Sequence, residues 1–172
     1  MAFPRTDRAP VVIGLGGNVG GEAAVRARFG HARTALEAIG ALRSAPLYRS
    51  SPIGPAQPAF LNTAVALAYA DGQPAELIAT LLELERILGR AREREAHWGP
   101  RPIDLDVLVW GDRIVQTPEL WVPHPRLAER KFALAPLVAL LGEGFDVPGL
   151  GPAGPLLGRV ADQDCEEIAA SW

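Results

Sequence analysis

Apolar positions along this chain fall into short blocks whose spacing alternates between the periods of strand and helix. Val11-Val12-Ile13-Gly14-Leu15-Gly16 is an unbroken apolar run of strand length and predicts a buried strand, and the glycine-rich stretch Gly17 to Gly21 predicts a sharp turn after it. From Glu22 to Ile39 the Ala, Leu and Arg content predicts a helix, with Gly40 as its stop. Arg43 to Ser50 predicts a strand with little apolar support. Phe60 to Tyr69 alternates, with Leu61, Val65 and Leu67 on one face and Phe60, Asn62 and Ala64 on the other. After a turn at Asp71-Gly72, Pro74 occupies a favourable first helical position. Leu77, Ile78, Leu81, Leu84 and Leu88 then recur at helical spacing until Gly89. Ile103 to Trp110 alternates again and closes on Gly111-Asp112. A helical pattern restarts near Arg126, with Pro136 interrupting it.

The remaining stretches lack periodicity. Residues 1–9 read as a loose N-terminus and residues 142–172 as a weakly patterned tail, Gly- and Pro-rich up to Pro155. Ser51 to Pro58 holds three prolines in eight residues, which excludes helix and predicts a stiff exposed loop. Arg90 to Arg101 is too charged to be core and predicts a mobile surface loop. Both loops have little to anchor them and are expected to close on substrate. With neither repeat nor clean linker, the expectation is a single domain over residues 1–172.

Composition narrows the function classes. Of 172 residues, 48% are apolar and 22% charged, enough for a core without disulfides or metal staples. A net charge of −3 and a pI near 5.6 give no overall attraction to a polyanion, so no nucleic-acid partner is expected. Cys165 is the sole cysteine, excluding an intramolecular disulfide and suiting a reducing compartment. No apolar run approaches the roughly 20 residues of a membrane span, and no signal segment is evident, so a cytoplasmic protein is expected. The sole lysine, Lys131, follows no glycine loop, which removes Walker-type phosphate binding and leaves arginines and carboxylates for any nucleotide chemistry.

The sharpest chemical feature is Ile103-Asp104-Leu105-Asp106-Val107. In a strand Asp104 and Asp106 emerge on one face roughly 7 Å apart, while their neighbours enter the core. Such a pair suits Mg²⁺, which takes one or two protein carboxylates and completes its shell with water and phosphate oxygens. Two acids on a solvated strand face fit equally well. Arg90, Arg92, Arg94 and Arg101 lie just upstream with Trp98, offering guanidinium forks for phosphate and an indole for a planar ring. Pairing of these arginines with Glu85, Glu93 and Glu95 on a solvated loop is the plainer alternative. His124 sits between two prolines that fix its backbone, and its imidazole is placed to donate to phosphate. Asn62 suits either the edge of a heterocycle or a structural role. Gly14, Gly16, Gly17 and Gly20 miss the dinucleotide pattern by one residue and read as a tight strand exit, with Asn18 bonding nearby backbone. His31 reads as a surface residue and Cys165 as inert.

Taken together, several of these segments resemble one family. Ser51-Pro52-Ile53-Gly54, Gln57 to Asn62, Leu88-Gly89-Arg90, Trp98-Gly99-Pro100-Arg101-Pro102-Ile103-Asp104-Leu105-Asp106, Val122 to Pro125 and Glu129 to Phe132 are similar, in order and approximate spacing, to 6-hydroxymethyl-7,8-dihydropterin pyrophosphokinase from about Val11 to Leu141. The resemblance implies an α+β fold of ferredoxin-like type, with helices covering one face of a mainly antiparallel sheet. It implies transfer of diphosphate from ATP to the pterin hydroxymethyl group in folate synthesis, releasing AMP. Asp104 and Asp106 would then hold two Mg²⁺ ions, with Asp104 a candidate acceptor of the hydroxymethyl proton and Arg90 and Arg92 catalytic. Arg101, His124 and Arg130 would contact nucleotide and phosphate, with Glu85 nearby. The ring would lie between Phe132 and the Trp98 region. Asn62 and the Ser51-Pro52-Ile53-Gly54 backbone would read its polar edge, with Phe60 lining the pocket. The implied partners are these small molecules, acting on a monomer.

Four departures accompany the resemblance. Gly17 stands where the family usually has serine, His97 where arginine is usual and Glu119 where many members have arginine. The loop from Arg90 to Trp98 is one residue longer. A ferredoxin-like module that binds a ligand or protein without turnover is the alternative from another class, and it predicts no dependence on Mg²⁺.

Overall fold

The first strand, β1 (Val11–Gly17), has almost no exposed position because each of its faces meets a different partner. The computed structural model describes residues 10–69, 72–94 and 99–172. After β1 come α1 (Gly21–Glu37), β2 (Leu42–Ser44), β3 (Leu47–Ser50), β4 (Phe60–Leu67), α2 (Pro74–Ile87) and β5 (Asp104–Trp110). The second half carries β6 (Val115–Gln116), β7 (Trp121–Val122), α3 (Lys131–Leu141), β8 (Asp146–Val147), β9 (Gly151–Pro152), α4 (Ala153–Arg159) and β10 (Cys165–Ala169). The main sheet runs β10-β3-β4-β1-β5, with β2 also paired to β4, and all its pairings are antiparallel.

The two-residue period sorts side chains between two cores. Val11, Ile13 and Leu15 of β1 join Leu61, Val65 and Leu67 of β4 and Leu105 and Val107 of β5. Against them pack Val25, Phe29, Ala32 and Leu36 of α1 and Leu77 and Leu81 of α2. On the other face Val12, Ala64, Ala66 and Leu108 meet Ala133, Leu134, Leu137 and Leu140 of α3 and Ala153 and Leu156 of α4. Helices therefore cover both faces, which corrects the one-faced layering expected above. Small side chains at Ala64 and Ala66 make room for α3 on that second face.

Three local expectations change. The stretch Arg43 to Ser50 splits into β2 and β3 at Ala45-Pro46, because proline cannot donate to a ladder. Pro136 does not interrupt its helix; α3 runs through it, and the buried ring packs in the second core. The tail is structured: β10 adds to the sheet edge at β3, and Trp172 stands edge-on to Phe29 at 5.8 Å. Its indole N–H donates to the Ala45 carbonyl at 2.9 Å. No helix among the described residues is long and apolar enough to cross a membrane.

Candidate active site

The same parity that builds the second core also opens a cleft in it. Asp104 and Asp106 sit opposite Gly16 and Gly14 of β1, and across β1 those glycines face Asn62 and Ala64 of β4. The middle strand thus contributes no side chain between the acids and Asn62, and glycine in a strand interior marks close approach by something else. A Cβ on Gly16 would meet Asn62 Oδ1 at 3.5 Å and Asp104 Cβ at 4.0 Å, so the floor is open rather than crowded. Leu108, two residues beyond Asp106, ends the floor. Ser51, Ile53, Phe60, Phe132, Arg101, His124 and Arg130 line the cleft with them.

The two carboxylates are not equivalent. Asp104 is bound by the Arg90 and Arg101 guanidinium groups, the latter at 2.5 Å. Burial pushes its carboxyl up, yet the two arginines outweigh burial and hold it below the ordinary range. Asp106 receives no hydrogen bond among the described residues. Burial, and then the charge of Asp104, push it up to about 7. Asp106 is therefore the more basic of the pair. The Asp106 carboxylate, with no donor of its own, is the group in the cleft to which a divalent cation would bring compensating charge. No group of three or more His, Cys, Asp or Glu side chains that could hold a metal exists among the described residues. Asp106 presents carboxylate oxygens with no protein donor among the described residues, while both Asp104 oxygens are shared with arginines, so the pair suits Mg²⁺ completed by water and phosphate oxygens better than a closed protein cage.

Cationic and neutral donors face this pair. Arg130 Nε is buried without a hydrogen-bond partner among the described residues, an orphan that an anionic oxygen would satisfy. Its guanidinium carbon lies 5.6 Å from the Phe132 ring centre. His124 Nδ1 accepts the Arg126 N–H at 3.1 Å, leaving Nε2 as the donor of a neutral ring. Burial, helped by the neighbouring Arg130 charge, pushes this imidazole down to about 4, so it stays uncharged near neutrality.

Several residues expected in the site stand behind it instead. Glu85 is 1% exposed and lines no part of the cleft. Its Oε1 accepts from Arg90 Nη1 and from the Leu105 N–H, both at 2.7 Å, and its Oε2 accepts from Arg92 Nε at 2.7 Å. Arg90 is buried as well, clamped between Glu85 and Asp104, which corrects the reading of its neighbourhood as wholly a mobile surface loop. Glu85 pins β5 through Leu105 and aims Arg90 at Asp104, so these three residues position the acid pair. Arg92 leans on Glu85 with half its side chain exposed and lies outside the cleft lining. Pro52 and Gly54 also lie outside the lining, in the exposed loop whose Ser51 and Ile53 reach it. Trp98 and His97 fall outside the described residues.

Asn62 resolves toward a structural contact, donating to Ser50 Oγ at 2.8 Å while its other face lies over the glycine floor. Asn18 is the residue that local reading misses. Instead of bonding nearby backbone, its amide nitrogen donates to Gln57 Oε1 at 3.0 Å and to the Pro58 carbonyl at 2.9 Å, and its Oδ1 accepts the Arg101 N–H at 2.8 Å. One buried amide thus ties the first proline-rich loop to the segment that leads into Asp104. The glycine floor did carry a readable signal, since two glycines at strand spacing inside an otherwise apolar run mark an approach face.

Comparison with known proteins gives this arrangement a context. A family model described as 7,8-dihydro-6-hydroxymethylpterin-pyrophosphokinase (HPPK) matches residues 12–142. A Synechocystis protein named 2-amino-4-hydroxy-6-hydroxymethyldihydropteridine pyrophosphokinase is 39% identical over 136 residues, covering 78% of this chain and 68% of that protein. The mitochondrial folate synthesis bifunctional protein of Arabidopsis thaliana is 41% identical over 142 residues, where this chain spans only 24% of the longer polypeptide. Among solved structures, a Plasmodium falciparum HPPK-DHPS chain superposes with a TM-score of 0.67 at 11% identity, over 91% of this chain and 46% of that one, a likeness of fold.

Proposed function

This chain belongs to the 7,8-dihydro-6-hydroxymethylpterin-pyrophosphokinase family, and from that premise we infer that it transfers the diphosphate of ATP to the hydroxymethyl group of 6-hydroxymethyl-7,8-dihydropterin. The products are the pterin diphosphate and AMP, and the reaction serves folate biosynthesis. The observation that carries this reading is one cleft over the glycine floor that Asp104 and Asp106 line together with Phe60 and Phe132 and with Arg101, Arg130 and His124.

Asp104 and Asp106 are the residues that would hold Mg²⁺, two ions on the resemblance, and bound Mg²⁺ would neutralise phosphate charge and orient the transferred group. Arg101 and Arg130 bind phosphate oxygens as guanidinium forks, and Arg130 Nε gains the partner it lacks. His124 donates from Nε2 without adding charge. Phe132 and Phe60 hold the pterin ring, with Asn62, Ser51 and Ile53 at its polar edge. Arg90, Arg92 and Glu85 act through Asp104 by fixing its orientation. The hydroxymethyl oxygen attacks the β-phosphorus in line, so the chain's task is positioning and charge stabilisation, with no covalent enzyme intermediate. The loop from Ser51 to Ala59 closes over the bound ring and excludes water from the diphosphate.

The decisive assay incubates the protein with ATP, Mg²⁺ and the hydroxymethyl pterin and follows the nucleotide product. AMP is expected. ADP would indicate single-phosphate transfer, and no product would indicate a binding module. Asp106→Ala is expected to abolish AMP formation while leaving the circular dichroism spectrum unchanged; near-normal turnover would remove the acid pair from the reaction.

A further inference from the structure

Arg130 and Phe132 come from a junction of two helical elements, where local bonds tie the Arg130 N–H to Leu127 and its carbonyl to Ala133 and Leu134 but leave the next N–H to be satisfied from elsewhere. Arg130 has extended backbone, φ −129° and ψ 105°, between a 3-10 turn at Leu127–Glu129 and the start of α3. The first N–H groups of a helix have no acceptor within it, so the Lys131 N–H needs a partner from elsewhere. That partner is Gln163, in the short link between α4 and β10. Its Oε1 accepts the Lys131 N–H at 2.9 Å, and its Nε2 donates to the Glu129 carbonyl at 2.7 Å. One side-chain amide therefore grips the backbone on both sides of Arg130. Lys131 answers with its Nζ, which donates to the Ala161 and Gln163 carbonyls at 2.9 Å each.

The same link also touches Ser50 and Ser51 of the cleft lining. Asp164 accepts a hydrogen bond from Ser51 Oγ, and Cys165 begins the β10 ladder opposite Ser50. Three consecutive residues, Gln163 to Cys165, thus connect the Arg130–Phe132 part of the lining to Ser50 and Ser51, although none of the three lines the cleft.

We propose that Gln163, with Lys131 as its counterpart, is a positioning residue that sets Arg130 and Phe132 for substrate binding. Its consequence for turnover rests on the pyrophosphokinase reading; its consequence for the backbone does not. Arg130 and Phe132 hold ground state and transition state alike, so loosening them weakens binding more than it slows chemistry.

The test uses Gln163→Ala in the full chain. The KM values for ATP and for the pterin are expected to rise about fivefold or more, the worth of roughly one hydrogen bond at the site, with kcat changed less than about twofold. Gln163→Glu keeps the acceptor for Lys131 and is expected to recover part of the loss. Lys131→Met should shift both KM values in the same direction and add little on top of Gln163→Ala, because both act on one clamp. A purely structural amide would lower the melting temperature and leave both KM values at the wild-type level, and that result overturns the proposal. If Gln163→Ala does not fold, Lys131→Met carries the same kinetic comparison with the same overturning result. Should the wild type make no AMP, the pyrophosphokinase reading fails separately. The proposal is then decided by amide exchange: residues 131–133 are expected to exchange about tenfold faster in Gln163→Ala with β1 unchanged, and unaltered exchange there overturns it.

Discussion

At the scale of single residues, the site is governed by an unequal pair of acids. Asp104 is held ionised by Arg90 and Arg101, while burial and the charge of Asp104 raise Asp106 to about 7. A folded-state carboxyl raised above its ordinary value of 3.8 favours the fold while protonated, and that contribution is lost as pH rises toward about 7. Asp106→Asn removes the effect. In chelator, its melting temperature is expected to match wild type near pH 4 and to exceed it increasingly up to pH 7, by an amount that added Mg²⁺ reduces. His124 runs the other way: its imidazole is depressed to about 4, so the stability it lends is present above 6.5 and lost as pH falls toward 4. Comparing Asp106→Asn with wild type cancels that contribution. Glu85 supplies a second test. Glu85→Ala removes one of the two carboxylates that hold the buried Arg90, together with the acceptor of the Leu105 N–H, and is expected to cost about 3 kcal/mol in urea unfolding. Glu85→Gln, which keeps an acceptor for Leu105, should cost less.

At the scale of elements, β1 holds three glycines with opposite tolerances. Gly16 has room for a Cβ, with only ordinary contacts around it, so Gly16→Val should keep the fold and fill the floor. Pterin-dependent AMP formation is then expected to fall on the order of a hundredfold, as expected when substrate is displaced by about an ångström, with the melting temperature nearly unchanged. Gly17 is different, because a Cβ there would stand 2.7 Å from the Pro102 carbonyl oxygen. The serine usual for the family would push away the segment that enters β5. Gly17→Ser is expected to lower stability measurably in thermal unfolding. Gly14 is intermediate, its Cβ position lying 3.3 Å from the flexible Leu108 side chain.

At the scale of the whole molecule, the last thirty residues are integral to the fold and to the cleft. Trp172 closes the space between α1 and the β2–β3 break, edge-on to Phe29, under the Arg33 guanidinium and bonded to Ala45. Trp172→Ala is expected to cost about 2 kcal/mol by chemical denaturation, less than a fully buried tryptophan because the ring is partly exposed. None of this was legible in residues 142–172, whose short strands and seven-residue helix α4 are too brief to display a period. The long elements were legible because their burial repeats locally: α1, α2, β4 and β5 lie within a few residues of where the apolar spacing places them.

The sequence by itself determined which acids share a face, since alternation along one strand puts Asp104 and Asp106 together whatever else the chain does. It also carried the motifs that mark the family. Only the tertiary structure decided which residues touch the cleft and which stand behind it, because Glu85, Arg90, Asn18 and Gln163 act through partners distant in sequence. A long-range hydrogen bond has no period, and it exists only once the sheet has brought its ends together.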